Sequence, residues 1–137
     1  MQIKDQIVLV TGAARGLGLA ITEALIHEGA RVVVNYFSSK VIAENLAHQY
    51  PDQVFAYRAD ITNATEVQAL FQASFAHFGE HIHAVVNNAL VNFEFNGEAR
   101  PKIEELSWDT MQQQLEGAVK ATLNTTQAAL HGMQQNK

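Results

Sequence analysis

The chain is expected to fold as an α/β domain, a doubly wound parallel sheet with helices on both faces, in three layers. Three observations predict this. Short β-branched runs alternate with segments of helical period along the whole length. The first run, Ile7-Val8-Leu9-Val10, is apolar throughout, as a strand covered on both faces must be. Between it and the first helical segment stands a glycine-rich turn, Thr11-Gly12-Ala13-Ala14-Arg15-Gly16-Leu17-Gly18.

The elements follow in order. After the turn, Leu17, Ala20, Ile21, Ala24 and Leu25 recur at helical spacing, and Gly29 is placed to follow the end of that helix. Residues 31–36 read as a second strand. Ser38 or Ser39 is placed to cap a second helix carrying Val41, Ile42, Leu46 and Ala47, which stops at Tyr50 before Pro51. Residues 53–58 are a third strand. Asn63 and Glu66 have the spacing of a capping box, and Val67, Leu70, Phe71, Ser74, Phe75 and Phe78 form the stripe of the next helix, ended by Gly79. Residues 82–87 are a fourth strand. A polar loop with Gly97 and Pro101 follows, then a short helical turn over 103–106, then a long helix over 108–133 capped by Ser107.

Composition narrows the function classes. A chain of 137 residues with 47% hydrophobic and 17% charged residues suits one globular domain with one core. The net charge of −5, without a basic stripe, argues against a nucleic-acid partner. The absence of cysteine excludes disulfides and thiolate chemistry. No apolar run approaches the ~20 residues of a membrane helix, and the N-terminus has no signal-peptide pattern. The expectation is no membrane association and a cytoplasmic location. His81 and His83 lack a third ligand in reach by sequence, so no metal site is expected.

Right-handed crossovers then give the strand order 3-2-1-4 and a switch point between strands 1 and 4. This is a Rossmann-type arrangement. Gly12, Asn35, Asp60 and Asn88 all fall at or just beyond carboxyl ends of strands, where ligands of such sheets bind. Gly12 permits the tight turn, Gly16 lets backbone approach a pyrophosphate, and Gly18 lets the helix pack against the strand. The unpaired N–H groups of the first helical turn face that anion.

Taken together, Thr11-Gly12, Gly16 and Gly18, the Asp60-Ile61 pair and Asn87-Asn88-Ala89 resemble the short-chain dehydrogenase/reductase family over essentially the whole chain, most closely its 3-oxoacyl-(acyl-carrier-protein) reductase group. The resemblance implies an oxidoreductase moving a hydride between a nicotinamide nucleotide and a carbonyl/alcohol pair, a small molecule or an acyl thioester. It implies cofactor contacts at Gly12, Ala14, Arg15, Gly16, Leu17, Gly18, Asn35, Tyr36, Ser38, Asp60, Ile61, Asn88 and Ala89. Asn87 is read as a structural amide between strands. NAD selection usually shows an acid after strand 2. This chain has Asn35-Tyr36-Phe37-Ser38-Ser39-Lys40 there, and Arg15, Ser38 and Lys40 suit a 2′-phosphate, so NADP(H) is expected over NAD(H).

The pattern also breaks. Tyr36 and Lys40 have the spacing of the family's catalytic Tyr-x-x-x-Lys, but they follow strand 2, at the adenosine end, and are rejected as a catalytic pair. No counterpart of the catalytic Ser, Tyr or Lys occurs, so no catalytic residue is assigned. Ala118 stands where the family usually has Asn, and Leu90 replaces the glycine of Asn-Asn-Ala-Gly. The reading is a single dinucleotide-binding domain over 1–137 that stops before strand 5, with a homo-oligomer formed through the 108–133 helix. On that helix Met111, Leu115, Ala118, Thr122, Thr126, Ala129 and Met133 share a face. The rival reading is a non-catalytic nucleotide-binding or assembly module complete at Lys137.

Overall fold

The structure, a computed structural model, describes residues 2–91 and 101–135. Strand β1 (Ile7–Val10) is buried at every position because it has a parallel partner on each side and helices on both faces. It pairs with β2 (Arg31–Tyr36) and with β4 (Ala84–Val86), while β3 (Val54–Arg58) pairs on the far side of β2. The order is β3-β2-β1-β4, all parallel, as the alternation of runs predicts.

Alternating side chains feed two cores. Val8 and Val10 join Val32, Val34 and Val54 beneath helices α1 (Gly16–His27) and α2 (Lys40–Gln49), which contribute Ile26, Ala43 and Leu46. Ile7, Leu9 and Val33 join Leu70 of helix α3 (Ala64–Phe78) and Ile82 on the opposite face. Helix α4 (Trp108–Leu115) leads through a π-helical turn, Glu116–Lys120, into α5 (Ala121–Gln135). Ala121 of α5 packs with Ile61 and Val67.

Several sequence expectations are corrected. In α1 the buried face is Gly18, Thr22 and Ile26, with Leu17, Ala20 and Ala24 exposed and Ile21 and Leu25 half-buried. The smallest residue sets the rotation, because the helix comes closest to the turn at Gly18. Thr22 fits that face because its hydroxyl donates to Gly18 O at 2.8 Å. In α2, Ala43 and Leu46 dock on the sheet and leave Val41 and Ile42 exposed. Ser39 is its N-cap but makes no side-chain cap bond.

Strand β3 starts one residue late, after Gln53 turns its side-chain amide to Ile26 O and Ala30 O at 3.1 and 3.0 Å. Strand β4 is shorter than 82–87, and just before its start the His83 side chain stands in for a ladder carbonyl. Its Nδ1 accepts from Ile7 N at 3.0 Å. The Asn63 side chain accepts from Thr65 N and Glu66 N, but the Glu66 carboxylate accepts from Asp60 N at 2.7 Å rather than closing a capping box. Phe75 is exposed, outside the stripe.

The long helix is interrupted where Gly117 meets Val91. A Cβ at Gly117 would lie 2.8 Å from that of Val91. The π turn accommodates this approach, as such turns do when one residue is added to a helical run. The buried face of α5 is Ala121, Asn124, Thr125, Ala129 and Gly132, so Ala129 belongs to the fold rather than to a free face. Short turn 103–106 appears as Ile103–Glu105, and Gly97 lies outside the described residues. Arg31 bridges Glu80 at 2.9 Å, and that guanidinium holds the Glu80 carboxyl below the usual carboxylate range. Among the described residues no helix is long and apolar enough to cross a membrane.

Candidate functional site at the carboxyl ends of the strands

At the end of β1 the chain must leave the sheet without stranding its polar backbone groups. Thr11, 1% exposed, resolves this. Its amide donates to Val86 O at 3.0 Å, and its hydroxyl oxygen accepts from Asn88 N and Ala89 N at 3.0 and 3.1 Å. In return the Asn88 side-chain amide donates to Thr11 O at 3.0 Å and Gly12 O at 3.3 Å. On the other side, Asn35 Oδ1 accepts from Gly12 N at 3.4 Å, and Asn35 Nδ2 donates to Ala59 O at 3.1 Å. The ends of all four strands are thereby fastened to one turn.

The turn's glycines meet different needs. A Cβ at Gly18 would lie 2.1 Å from Gly12 O and 2.5 Å from Asn88 Nδ2, so no side chain fits. Its neighbours are the turn and Asn88 rather than the body of a strand. Gly16 has φ +52°, and a Cβ placed on it would meet nothing within 4 Å, so open space lies over its backbone. There, the first turn of α1 presents unpaired N–H groups and the positive end of its dipole. Arg15 is the N-cap in extended backbone, makes no side-chain cap bond and, among the described residues, no ion pair. A cation at that end is unfavourable alone and favourable opposite an anion.

These parts enclose a cleft of about 1060 Å³. It is lined by Gly12, Ala14, Arg15, Gly16, Leu17, Asn35, Tyr36, Ser38, Asp60, Ile61, Asn88 and Ala89, so the predicted residues converge, with Gly18 beneath them. Their contributions differ. Both ends of the Asn35 amide are engaged within the protein, and Tyr36 is only 9% exposed, so these two shape the wall. Asp60 Oδ1 accepts from Thr62 N and Thr62 Oγ1 at 2.9 and 2.7 Å, fixing the carboxylate at the cleft edge. Asn124 of α5 donates to Ile61 O at 3.0 Å and steadies the same loop.

Lys40 does not line the cleft; its ammonium lies 3.6 Å from Glu44. Asn87 is structural but links strand to helix, not strand to strand: its Oδ1 accepts from Thr125 Oγ1 at 2.7 Å. Phe37, Ser39, Thr62 and Val91 also line the cleft; Phe37 and Ser39 lie in the segment after β2 singled out by sequence but with no contact assigned, and Thr62 and Val91 carry no motif. Leu90, 48% exposed, stands at the wall with Ala89. Beside it a cavity of about 110 Å³ reaches Thr11, Asn87, Gly117, Ala118 and Thr122. Thr122 Oγ1 donates to Ala118 O at 2.6 Å there.

Comparison with known proteins gives a consistent picture. Residues 6–137 match the family model described as short chain dehydrogenase. An uncharacterized oxidoreductase of Methylorubrum extorquens is 34% identical over 131 residues, covering 93% of this chain and 50% of its own length. A blue fluorescent protein from a metagenomic library, solved in complex with NADPH, superposes with a TM-score of 0.81 at 25% identity, over 97% of this chain and 53% of that one. A 3-ketoacyl-(acyl-carrier-protein) reductase from Brucella melitensis, complexed with NADH, shares the fold at 24% identity with a TM-score of 0.84, over 98% and 52% of the two chains. The chain thus spans about half the length of these proteins.

The two glycines predict separable costs. Gly18→Ala meets backbone and should cost about 3 kcal/mol. Gly16→Ala meets open space and should cost only the left-handed penalty of about 1 kcal/mol. Denaturant unfolding of both variants measures this, and a reversed order would contradict the packing described.

Proposed function

The chain belongs to the short chain dehydrogenase family, and on that premise we propose that it supplies the cofactor-binding half of an NADP(H)-dependent reductase. The observation that carries the cofactor choice is the charge around the end of β2. Asn35 to Ser39 contain no carboxylate, while Arg15, without an ion pair among the described residues, stands in the wall of the same cleft. A ribose 2′-hydroxyl is best held by an acid, and a 2′-phosphate by a cation with hydroxyl donors. Arg15 and Ser38 provide the second set. Complexes of similar proteins with NADPH and with NADH support a nicotinamide nucleotide as such, so the choice between the two rests on Arg15 and Ser38.

In this reading the amides of Gly16, Leu17 and Gly18 hold the pyrophosphate. Asp60 and Ile61 border the adenine, and Asn88 and Ala89 border the nicotinamide ribose. The bound nucleotide supplies the hydride for a carbonyl substrate, with a 3-oxoacyl thioester as the substrate class the sequence resemblance favours. Proton donation belongs to residues of the other half of such enzymes. Ala118 and Leu90 alter the region beside the nicotinamide, through the small cavity and the added bulk. The parent protein is proposed to be cytoplasmic.

The assembly part of the proposal rests on exposed apolar side chains along one helical run: Trp108, Met111, Leu115, Val119, Leu123 and Leu130. Their spacing of three, four and seven residues marks one stripe. It differs from the face expected from sequence, in which Ala129 is buried. A homo-oligomer through this stripe predicts a dimer or larger species in sedimentation that Leu123→Lys dissociates; a monomeric wild-type protein would contradict it. The same stripe is the observation that favours a non-catalytic assembly module, and reduction of a 3-oxoacyl thioester by the native protein with NADPH excludes that reading.

The cofactor choice has its own test. The chain should bind NADPH more tightly than NADH, and Arg15→Gln should weaken NADPH about tenfold, one charge-assisted contact, with NADH little changed. Equal binding of the two nucleotides, or equal loss for both, would overturn the assignment to a 2′-phosphate.

A further inference from the structure

Val32 to Tyr36 are buried without a break, and the next residue, Phe37, is 58% exposed. Phe37 lines the cleft, as do Ser38, Asp60 and Ile61. The other large exposed apolar side chains of the cleft, Leu17 and Leu90, are aliphatic.

Phe37 is held rather than loose. The β2–β3 register pairs Tyr36 with Arg58, which brings the Arg58 side chain beside the next residue of β2. The Arg58 guanidinium carbon sits 4.6 Å from the centroid of the Phe37 ring, and Arg58 Nε donates to Phe37 O at 3.1 Å. One contact fixes the ring through its negative face, and the other fixes the backbone that carries it. Arg58 itself is not a lining residue of the cleft. A clasp that only stapled two strand ends would not require a largely exposed aromatic residue in the wall of the cleft.

We propose that Phe37, clamped by Arg58, is the stacking platform for the purine base of the bound nucleotide. Arg58 is the positioning residue that sets the ring. The inference rests on the nucleotide-binding reading above and adds the residues that recognise the base. A purine presents a flat π face, which stacks on an aromatic ring with little regard to its edge. Exposure of Phe37, otherwise unfavourable, is then matched by burial on binding.

The test titrates the full chain with three probes: AMP, which has the base without nicotinamide or 2′-phosphate; reduced nicotinamide mononucleotide, which lacks the base; and NADPH. Phe37→Leu should weaken AMP and NADPH about tenfold and leave the mononucleotide unchanged. Phe37→Trp should retain wild-type binding. Arg58→Met should weaken the two adenine-bearing probes about threefold, again sparing the mononucleotide. Wild-type affinity of Phe37→Leu for AMP overturns the proposal, as does an equal loss for all three probes with a lowered melting temperature, the mark of a merely structural role. Should the wild-type chain bind AMP in a Phe37-dependent way but neither nicotinamide probe, the cofactor reading fails and the platform stands. Binding of none of the three overturns both.

Discussion

The exchange of hydrogen bonds between Thr11 and Asn88 is the constraint on which the site depends. β1 is an interior strand, buried on both faces, and its chain has to turn out of the sheet where β4 ends. The Thr11 hydroxyl takes the two amides after β4, and the Asn88 amide takes two carbonyls of the turn. Each such bond is worth about 1 kcal/mol net, and leaving a buried partner unmet costs more. With those carbonyls engaged inward, the amides of the following helical turn are left to face the cleft. A polar site is built here by satisfying one side of the backbone and leaving the other side for a ligand.

Close packing then makes the arrangement specific. Gly18 lies against Gly12 O and the Asn88 amide at distances no side chain would permit, which seats α1 directly on the turn. Thr22, one turn on, donates to Gly18 O with Ala13 O a further 3.3 Å acceptor of the same proton, and so locks the helix to the same segment. From the other side, Asn124 and Thr125 of α5 reach Ile61 O and Asn87, so the loops after β3 and β4 are both positioned by one helix. The cleft is therefore held from the glycine turn, the sheet and the opposite layer together.

Much of this was legible in the sequence because it depends on local rules. A continuous apolar run marks β1, β-branched residues mark β2, and glycine spacing marks the turn; the strand order follows from right-handed crossovers. The convergence of Gly12, Asn35, Asp60 and Asn88 required only the positions of strand ends. Helix faces were less legible. In α1 most residues are apolar, so periodicity could not rank the Leu17 face above the Gly18 face, and steric approach to the turn decided it. The π turn at Glu116–Lys120 carries Gly117 against Val91, a long-range approach that local spacing does not encode. The Lys40 pairing with Glu44 and the Arg58 hold on Phe37 depend on side-chain reach and strand register, which motif spacing does not carry.

The central claim is that the turn between β1 and α1, fastened to Asn88, is a nucleotide-binding cradle. The most direct measurement is an amide chemical-shift map of the isotopically labelled chain during titration with NADPH. The account predicts that the largest changes fall on Arg15, Gly16, Leu17 and Gly18, followed by Asp60 to Thr62 and Asn88 to Ala89, and that β-strand amides remote from the carboxyl ends stay still. Changes confined to another surface, or none at saturating nucleotide with the chain folded, would contradict it.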